Sequence, residues 1–495
     1  MELKTKDYKH FNAGEYTFTE ANKSFPGDIV EIVDNKCVLI QRKKHVLVGT
    51  LELNSKTKYG ITAKGYPIYL FLPVHRNYPP FIVGSSHKDC SQNVMAVVNF
   101  DSWTDNLPRG SLVRIIGPCS SLAVQEEALM LTYNPYKMPK NLEIELERTD
   151  FIERCRTPEN TFNIDPEGCV DIDDVISLTD NQLWITIADV DERVSPGSSV
   201  DNYAALQGQT VYKNGRAIQP MLPQELSENR CSLQPGVLRP GVSLIITFDP
   251  LTYTVNRIEW RLSCVFNKKA YDYDNFKALA EKDGINIKVL QILAEKILGE
   301  KTDDPHKWIE AYMLKYNLEA VKILSTIEEG ILRKHSGVDH DKWNTYMALN
   351  KDLAFLASHA AVYCDIYDPD PIHVGLGYTY CHASSPIRRY ADLVNQRIIK
   401  EAITGCSVYI NPNIEWLNKR QKDIKRYERD SFFLQNLGKG RIHATILGKK
   451  IWVEEWKRLV TWKNDLEPGT RVTLDYFVNP NVRYWKERIV YCQVL

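Results

Sequence analysis

The chain has 495 residues, enough for several domains, and 43% are hydrophobic, ample for buried cores. Its 62 Lys and Arg against 63 Asp and Glu leave a formal charge of −1, so no overall basic field marks it as a nucleic-acid binder. Eleven cysteines without a C-x-x-C pair argue against a disulfide framework or zinc site. They fit a reducing compartment, cytoplasmic or nuclear, rather than secretion. The N-terminal MELKTKDYKH has no apolar core, and no apolar run is long enough to span a bilayer.

Residues 1–145 carry short β patterns broken by Gly, Pro and Asn. They read GDIVEIV (27–33), KCVLIQ (36–41), HVLVGTLEL (45–53), YPIYLFLP (66–73), NVMAVVNF (93–100) and GSLVRIIG (110–117). Strands at this spacing predict one or two small barrels, the first of them short. Tyr66, Tyr69, Phe71 and Phe81 suit either base stacking or a core, and core is the better reading for each one singly.

Residues 146–437 form the next unit, strand-rich first and helical later. VISL (175–178) and LWITIADV (183–190) predict a hairpin around the polar turn Thr179 to Gln182. Asp304 followed by Pro305 predicts a helix running to about Lys334. Ser385 followed by Pro386 predicts another, ended by Gly405. A third spans 413–437 and is closed by Gly438. Lys419, Arg420, Lys422, Lys425, Arg426 and Arg429 cluster there, as a solvated helix face or a basic patch. The tail, 438–495, alternates apolar and polar residues as a last five-stranded barrel would.

The densest chemical signal is NIDPEGCVDIDD (163–174), with Asp165, Asp171, Asp173 and Asp174. Carboxylates this close repel one another unless a hard divalent cation neutralises them. An EF-hand calcium loop is excluded, because its sixth and twelfth positions would be Val170 and Ile176. Composition and spacing leave a magnesium site and a solvated acidic loop both open. In the helix predicted from Pro386, the first turn holds Arg388 and Arg389, which oppose the macrodipole. A docked phosphate would relieve that conflict. So would an ion pair of one arginine with Asp392, the other facing solvent.

Two segments carry a resemblance. The IDP tripeptide and the D-x-DD cluster resemble the metal-binding signature of the ribonuclease II/R (RNB-domain) family of 3′-5′ exoribonucleases. YCHASSPIRRYADLVNQR (380–397) is similar to a second block of that family, departing at Cys381, Ala383 and Ser384. Weaker likenesses lie at 187–201, 210–233, 308–317 and 425–430. The wording PEGCVDIDD looks most like the catalytic subunit of the eukaryotic RNA exosome and its relatives, without the endonuclease domain that precedes the barrels there.

The resemblance implies a multidomain α+β fold: a central RNB catalytic domain of mixed sheet plus helices, at 146–437, flanked by small all-β OB-type barrels. It implies one or two cold-shock/OB-type RNA-binding barrels over 1–145 and a C-terminal OB-type barrel over 438–495. It implies processive, Mg2+-dependent hydrolysis of single-stranded RNA to nucleoside 5′-monophosphates, with Mn2+ as a substitute. Two metal ions would be held by Asp165 and Asp174 as leading ligands, with Asp171 and Asp173 completing the shell. Asp173 is the residue the chemistry tolerates losing least. Arg388 would contact the scissile phosphate, while Arg389 is structural. Tyr212 would stack on the terminal base, and Glu428 would lie near the 3′-terminal nucleotide. Glu310 loses its family neighbour, which is Ala311 here. Single-stranded RNA is the implied partner; exosome-like protein partners stay open. A catalytically silent RNA-binding or scaffold protein on the same fold is the alternative, and the intact set of aspartates speaks against it.

Overall fold

The computed structural model describes residues 1–140, 142–144, 154–407, 411–437, 441–462, 465–478 and 489–494. The expected boundaries at 145/146 and 437/438, and Gly438, lie outside the described residues. The chain divides into two compact units, one of Met1–Pro135 with Asp423–Leu495, the other Tyr136–Lys422.

In the first unit, the alternating patterns of 45–117 become the strands Val46–Leu51, Ile68–Pro73, Phe81–Gly84, Val94–Ser102 and Arg109–Pro118. They form a closed barrel, completed by parallel pairing of the last strand with Phe81–Gly84. Closure removes open edges and leaves a core of Phe25, Phe71, Phe81, Val83 and Val98. Tyr69 joins that core, and only Tyr66 of the four singled-out aromatics is exposed, at 45%. Residues before the barrel form a three-stranded sheet and the hairpin Ile29–Val33/Lys36–Gln41. Ser121 caps helix α1, Leu122–Tyr133. The tail forms a five-stranded antiparallel sheet with Ile442–Leu447 at its centre. Tyr133 donates its hydroxyl to Asp430 at 3.0 Å, and Arg458 reaches the same carboxylate at 3.2 Å.

The second unit is built on a seven-stranded mixed sheet. Its spatial order is Cys155–Arg156, Val255–Phe266, Leu238–Phe248, Gln182–Ala188, Asp174–Leu178, Phe162–Ile164 and Lys269–Tyr271. The two outermost pairings are parallel and the inner ones antiparallel. The expected hairpin is present as β1, Asp174–Leu178, and β2, Gln182–Ala188. Both lie near the middle of the sheet with both faces covered, which is why they read as unbroken apolar runs. β2 stops at Ala188 because Asp189 and Asp191 turn into a buried ion network. Lys400 reaches Asp189 at 3.0 Å, and Arg397 reaches Asp191 and Asp201 at 3.0 and 2.9 Å.

Three helices differ from expectation at their ends. Helix α2, Pro305–Ile327, begins as expected with Asp304 capping His306 N–H, but it stops well before Lys334. Glu328 caps it in the left-handed region (φ 61°), Gly330 follows at φ 130°, and Ile331–Lys334 is a strand. Helix α3, Tyr390–Thr404, ends at Gly405 as expected but starts at Tyr390. Ser385 does not cap it. Arg389 is held extended (φ −135°, ψ 125°) by a bridge to Gln209, so both arginines precede the helix. Buried Asp392 in its first turn supplies the charge that a helix N-terminus favours. Helix α4 spans Ile414–Gln435. Its Arg420 is not on a solvated face: the residue is 1% exposed, its guanidinium lies over the Tyr136 ring at 4.7 Å, and its Nε donates to Gln207 O.

Candidate active site

β1 and the loop before it deliver the four aspartates, each into a different environment. Asp165 follows the strand Phe162–Ile164, and its N–H donates to Tyr271 O at 3.1 Å. Its carboxylate accepts from Asn163 Nδ2 at 2.8 Å. Asp174 opens β1 opposite Ile187. Among the described residues, no hydrogen bond or ion pair reaches its carboxylate. Burial, then the charges of Asp165 and Asp173, push the Asp174 pKa well above the usual range. Burial likewise raises Asp165, with Asp171 adding to it against Asn163 and Arg388.

Asp173 is 3% exposed and fully committed. Ile387 N–H donates to Oδ1 at 2.9 Å and Arg388 Nε to Oδ2 at 2.9 Å. Burial outweighs both and pushes its pKa up to about 7. Asp171 accepts the Tyr212 hydroxyl and, weakly, the Cys169 thiol at 3.6 Å.

Arg388 also reaches Ser385 Oγ at 3.0 Å, and 44% of its side chain stays exposed, so it can meet a substrate while holding Asp173. Arg389 is spoken for: Nε and Nη2 donate to Asp392 at 2.8 and 2.7 Å. Asp392 also accepts Ser385 N–H at 2.8 Å. One arginine therefore faces the acids and the other braces the loop.

Of the sequence-derived set, Asp165, Asp171, Asp173, Asp174, Tyr212 and Arg388 belong to one connected group. Glu310 lies on α2 in an exposed pair with Lys307 at 2.7 Å. Glu428 is exposed on α4, in the unit that contains the barrel. Two residues had escaped notice. The Cys169 thiol is pushed up by burial and then by Asp165 and Asp171. The Tyr273 hydroxyl is pushed up by burial and then by Asp174 and Asp165, and its ring stacks on His306 at 3.7 Å. Cys169 lies inside the motif and was readable there; Tyr273 is brought in by the fold alone.

Among the described residues no three His, Cys, Asp or Glu side chains converge to hold a metal ion by themselves. The donor set still fits magnesium. That ion takes oxygen ligands, commonly one or two carboxylates with the remainder from water and substrate phosphate. Asp165 and Asp174 offer such an oxygen pair, both buried and neither in a direct ion pair among the described residues.

Fold and site define a class: an α+β protein with a mixed-sheet unit carrying an acidic cluster, and OB-type barrel sheet beside it in the chain. A family model described as the RNB domain matches residues 148–297 and 285–405, more than half of the chain. A second, the Dis3-like cold-shock domain 2 (CSD2), matches 68–134. The chain belongs to the RNB-domain family. The probable exosome complex exonuclease RRP44 of Caenorhabditis elegans is 26% identical over 461 residues, 72% of this chain and 48% of that protein. The chain thus spans about half the length of the curated relatives it matches. The fold is similar to Mycoplasma genitalium RNase R solved with ribose methylated single-stranded RNA (TM-score 0.75, 17% identity, 98% of both chains). It is also similar to yeast Ssd1, described as a pseudonuclease (TM-score 0.67, 16% identity, 85% of this chain, 65% of that one).

Proposed function

We propose that this chain is a magnesium-dependent, processive exoribonuclease that hydrolyses single-stranded RNA from its 3′ end and releases nucleoside 5′-monophosphates. The observation that carries the reading is the buried Asp165–Asp174 pair, neither acid in a direct ion pair among the described residues, with a half-exposed Arg388 on the neighbouring Asp173. Magnesium held by Asp165 and Asp174, Mn2+ being a substitute, would activate water and stabilise the leaving 3′ oxygen. Arg388 neutralises charge developing on the scissile phosphate, and Asp173 holds that arginine in place. Asp171 lines the same site. Tyr212 presents its ring to the terminal base. The barrels at 1–145 and 438–495 are assigned to binding single-stranded RNA, and the domain at 146–437 to catalysis.

The family membership supports this reading, as do relatives named as exonucleases. A cytoplasmic or nuclear setting belongs to the same proposal, on the scattered cysteine pattern of the sequence. The second reading is a silent RNA-binding or scaffold protein, favoured by the likeness to a pseudonuclease. It is set behind because all four aspartates and Arg388 are present. The deciding experiment is a gel of end-labelled RNA after incubation with purified protein and magnesium. A ladder collapsing to mononucleotides supports the enzyme. RNA bound but intact supports the scaffold.

A further inference from the structure

The backbone on either side of Asp171 is fixed by a single neighbouring segment. Ser232 Oγ donates to Val170 O at 2.8 Å and accepts Ile172 N–H at 3.0 Å. Gln234 Nε2 adds a bond to Val170 O at 2.7 Å, and Leu233 N–H one to Ile172 O at 3.0 Å. What these bonds leave undetermined is the direction of the Asp171 carboxylate. Among the described residues, one of its oxygens meets only the Cys169 thiol, a weak donor. The other accepts the Tyr212 hydroxyl.

Tyr212 has little freedom of its own. It stands on the hairpin β3, Val211–Lys213, and β4, Arg216–Gln219. Asn214 and Gly215 turn it at φ 50° and 77°, the left-handed pair that a tight two-residue hairpin turn requires. At its root, Thr210 N–H donates to Arg388 O at 2.9 Å, and Gln209 bridges Arg389. The contacts close a circuit: Asp171 to Tyr212, the hairpin root to Arg388, Arg388 to Asp173.

We propose that the Tyr212 hydroxyl is a positioning group that sets the direction of the Asp171 carboxylate, so that the seat of the terminal base and the metal-binding side chains are one mechanical unit. Its consequence for catalysis rests on the function proposed above; the contact itself does not. The ring face and the hydroxyl are separable, the first for a base and the second for the carboxylate.

The test compares wild type, Tyr212→Phe, Asp171→Asn and the double variant in two measurements. One is Mn2+ binding without RNA, followed by the electron paramagnetic resonance of free Mn2+. The other is the Mg2+ dependence of digestion of 5′-labelled RNA. Groups that orient metal ligands are worth roughly 10–100-fold in affinity or activity. Tyr212→Phe is expected to weaken Mn2+ binding about tenfold or more and to raise the Mg2+ demand in step. Its final product keeps the wild-type length, because the ring remains. In the Asp171→Asn background the same change adds little, since its target is gone. Equal Mn2+ affinity in wild type and Tyr212→Phe overturns the proposal, as does a fully additive loss in the double variant. A wild type that binds Mn2+ but leaves RNA intact sinks the exoribonuclease reading alone, and the Mn2+ comparison still decides this one. Should Tyr212→Phe fail to fold, Asp171→Asn probes the contact from the other side: unchanged Mn2+ affinity there also overturns the proposal.

Discussion

Asp173 and Arg388 hold each other from positions 215 residues apart in the chain, Nε to Oδ2 at 2.9 Å, with the adjacent Ile387 N–H on the second oxygen. The acid is buried and the arginine only half so. Asp173 is thus the fixed member of the pair, and Arg388 the one that can turn toward a substrate.

Asp173→Asn keeps the shape of the side chain and removes its charge. Hydrolysis is expected to fall about a hundredfold or more, the usual scale for losing one organised electrostatic partner. RNA binding persists, or tightens as carboxylate–phosphate repulsion drops. Gel assays beside fluorescence anisotropy check this; near wild-type cleavage would make the cluster structural.

The same variant makes a pH prediction. The folded-state pKa of Asp173 is raised to about 7 from the usual 3.8, first by burial. Between those values the folded chain binds more protons than the unfolded one, so this residue makes stability fall as pH rises, and the loss levels off above about 7. Asparagine mimics the protonated acid and lacks that slope. In chelator and without RNA, Asp173→Asn should melt above wild type at pH 8, by no more than a few kcal/mol, with the gap closing toward pH 4. A gap independent of pH, measured by scanning fluorimetry, contradicts the burial argument.

Activity should require a divalent cation. Single-stranded RNA shortens with Mg2+ or Mn2+ and stays intact in chelator. Equal degradation in both removes Asp165 and Asp174 from the role of ligands.

Tyr212→Ala removes the stacking surface together with the hydroxyl. Stacking on an aromatic is worth roughly 1–3 kcal/mol per base, which matters most when few nucleotides remain bound. Long RNA should still be degraded while the final product grows by a nucleotide or more on a 5′-labelled ladder. An unchanged final product removes the ring from the substrate path. A blunt duplex should resist where a 3′ overhang is taken up, and cutting of a circular RNA would overturn the exonuclease reading.

Arg389→Ala tests the division of labour between the two arginines. It leaves Asp392 buried at 0% exposure without its cation, and breaking such a pair costs about 3–5 kcal/mol. Urea unfolding should show that loss. A stable Arg389→Ala that fails only in cleavage would move this residue into the site.

The acidic motif, the central hairpin and the barrel strands were legible because each is local: spacing, alternation and turn residues suffice. The start of α3 was not. Ser385 and Pro386 carry a good helix-start signal, and a bridge from Gln209 together with the reach of Asp392 overrides it. The partners of the aspartates were hidden for the same reason. Tyr212 and Arg388 meet Asp171 and Asp173 over separations of 41 and 215 residues, which no periodicity encodes. Glu310, whose role the sequence left open, stands on α2 in an exposed ion pair with Lys307.

The Tyr133–Asp430 hydrogen bond joins residues 297 positions apart within one unit, while the other unit is a single continuous stretch, Tyr136–Lys422. During synthesis that stretch can finish folding once Lys422 has left the ribosome. Tyr133 must wait through all of it, at about 5–20 residues per second, before its acceptor exists. For tens of seconds the buried Tyr133 hydroxyl lacks its late-made acceptor. The N-terminal segment is therefore the part of a nascent chain on which a chaperone has most time to act.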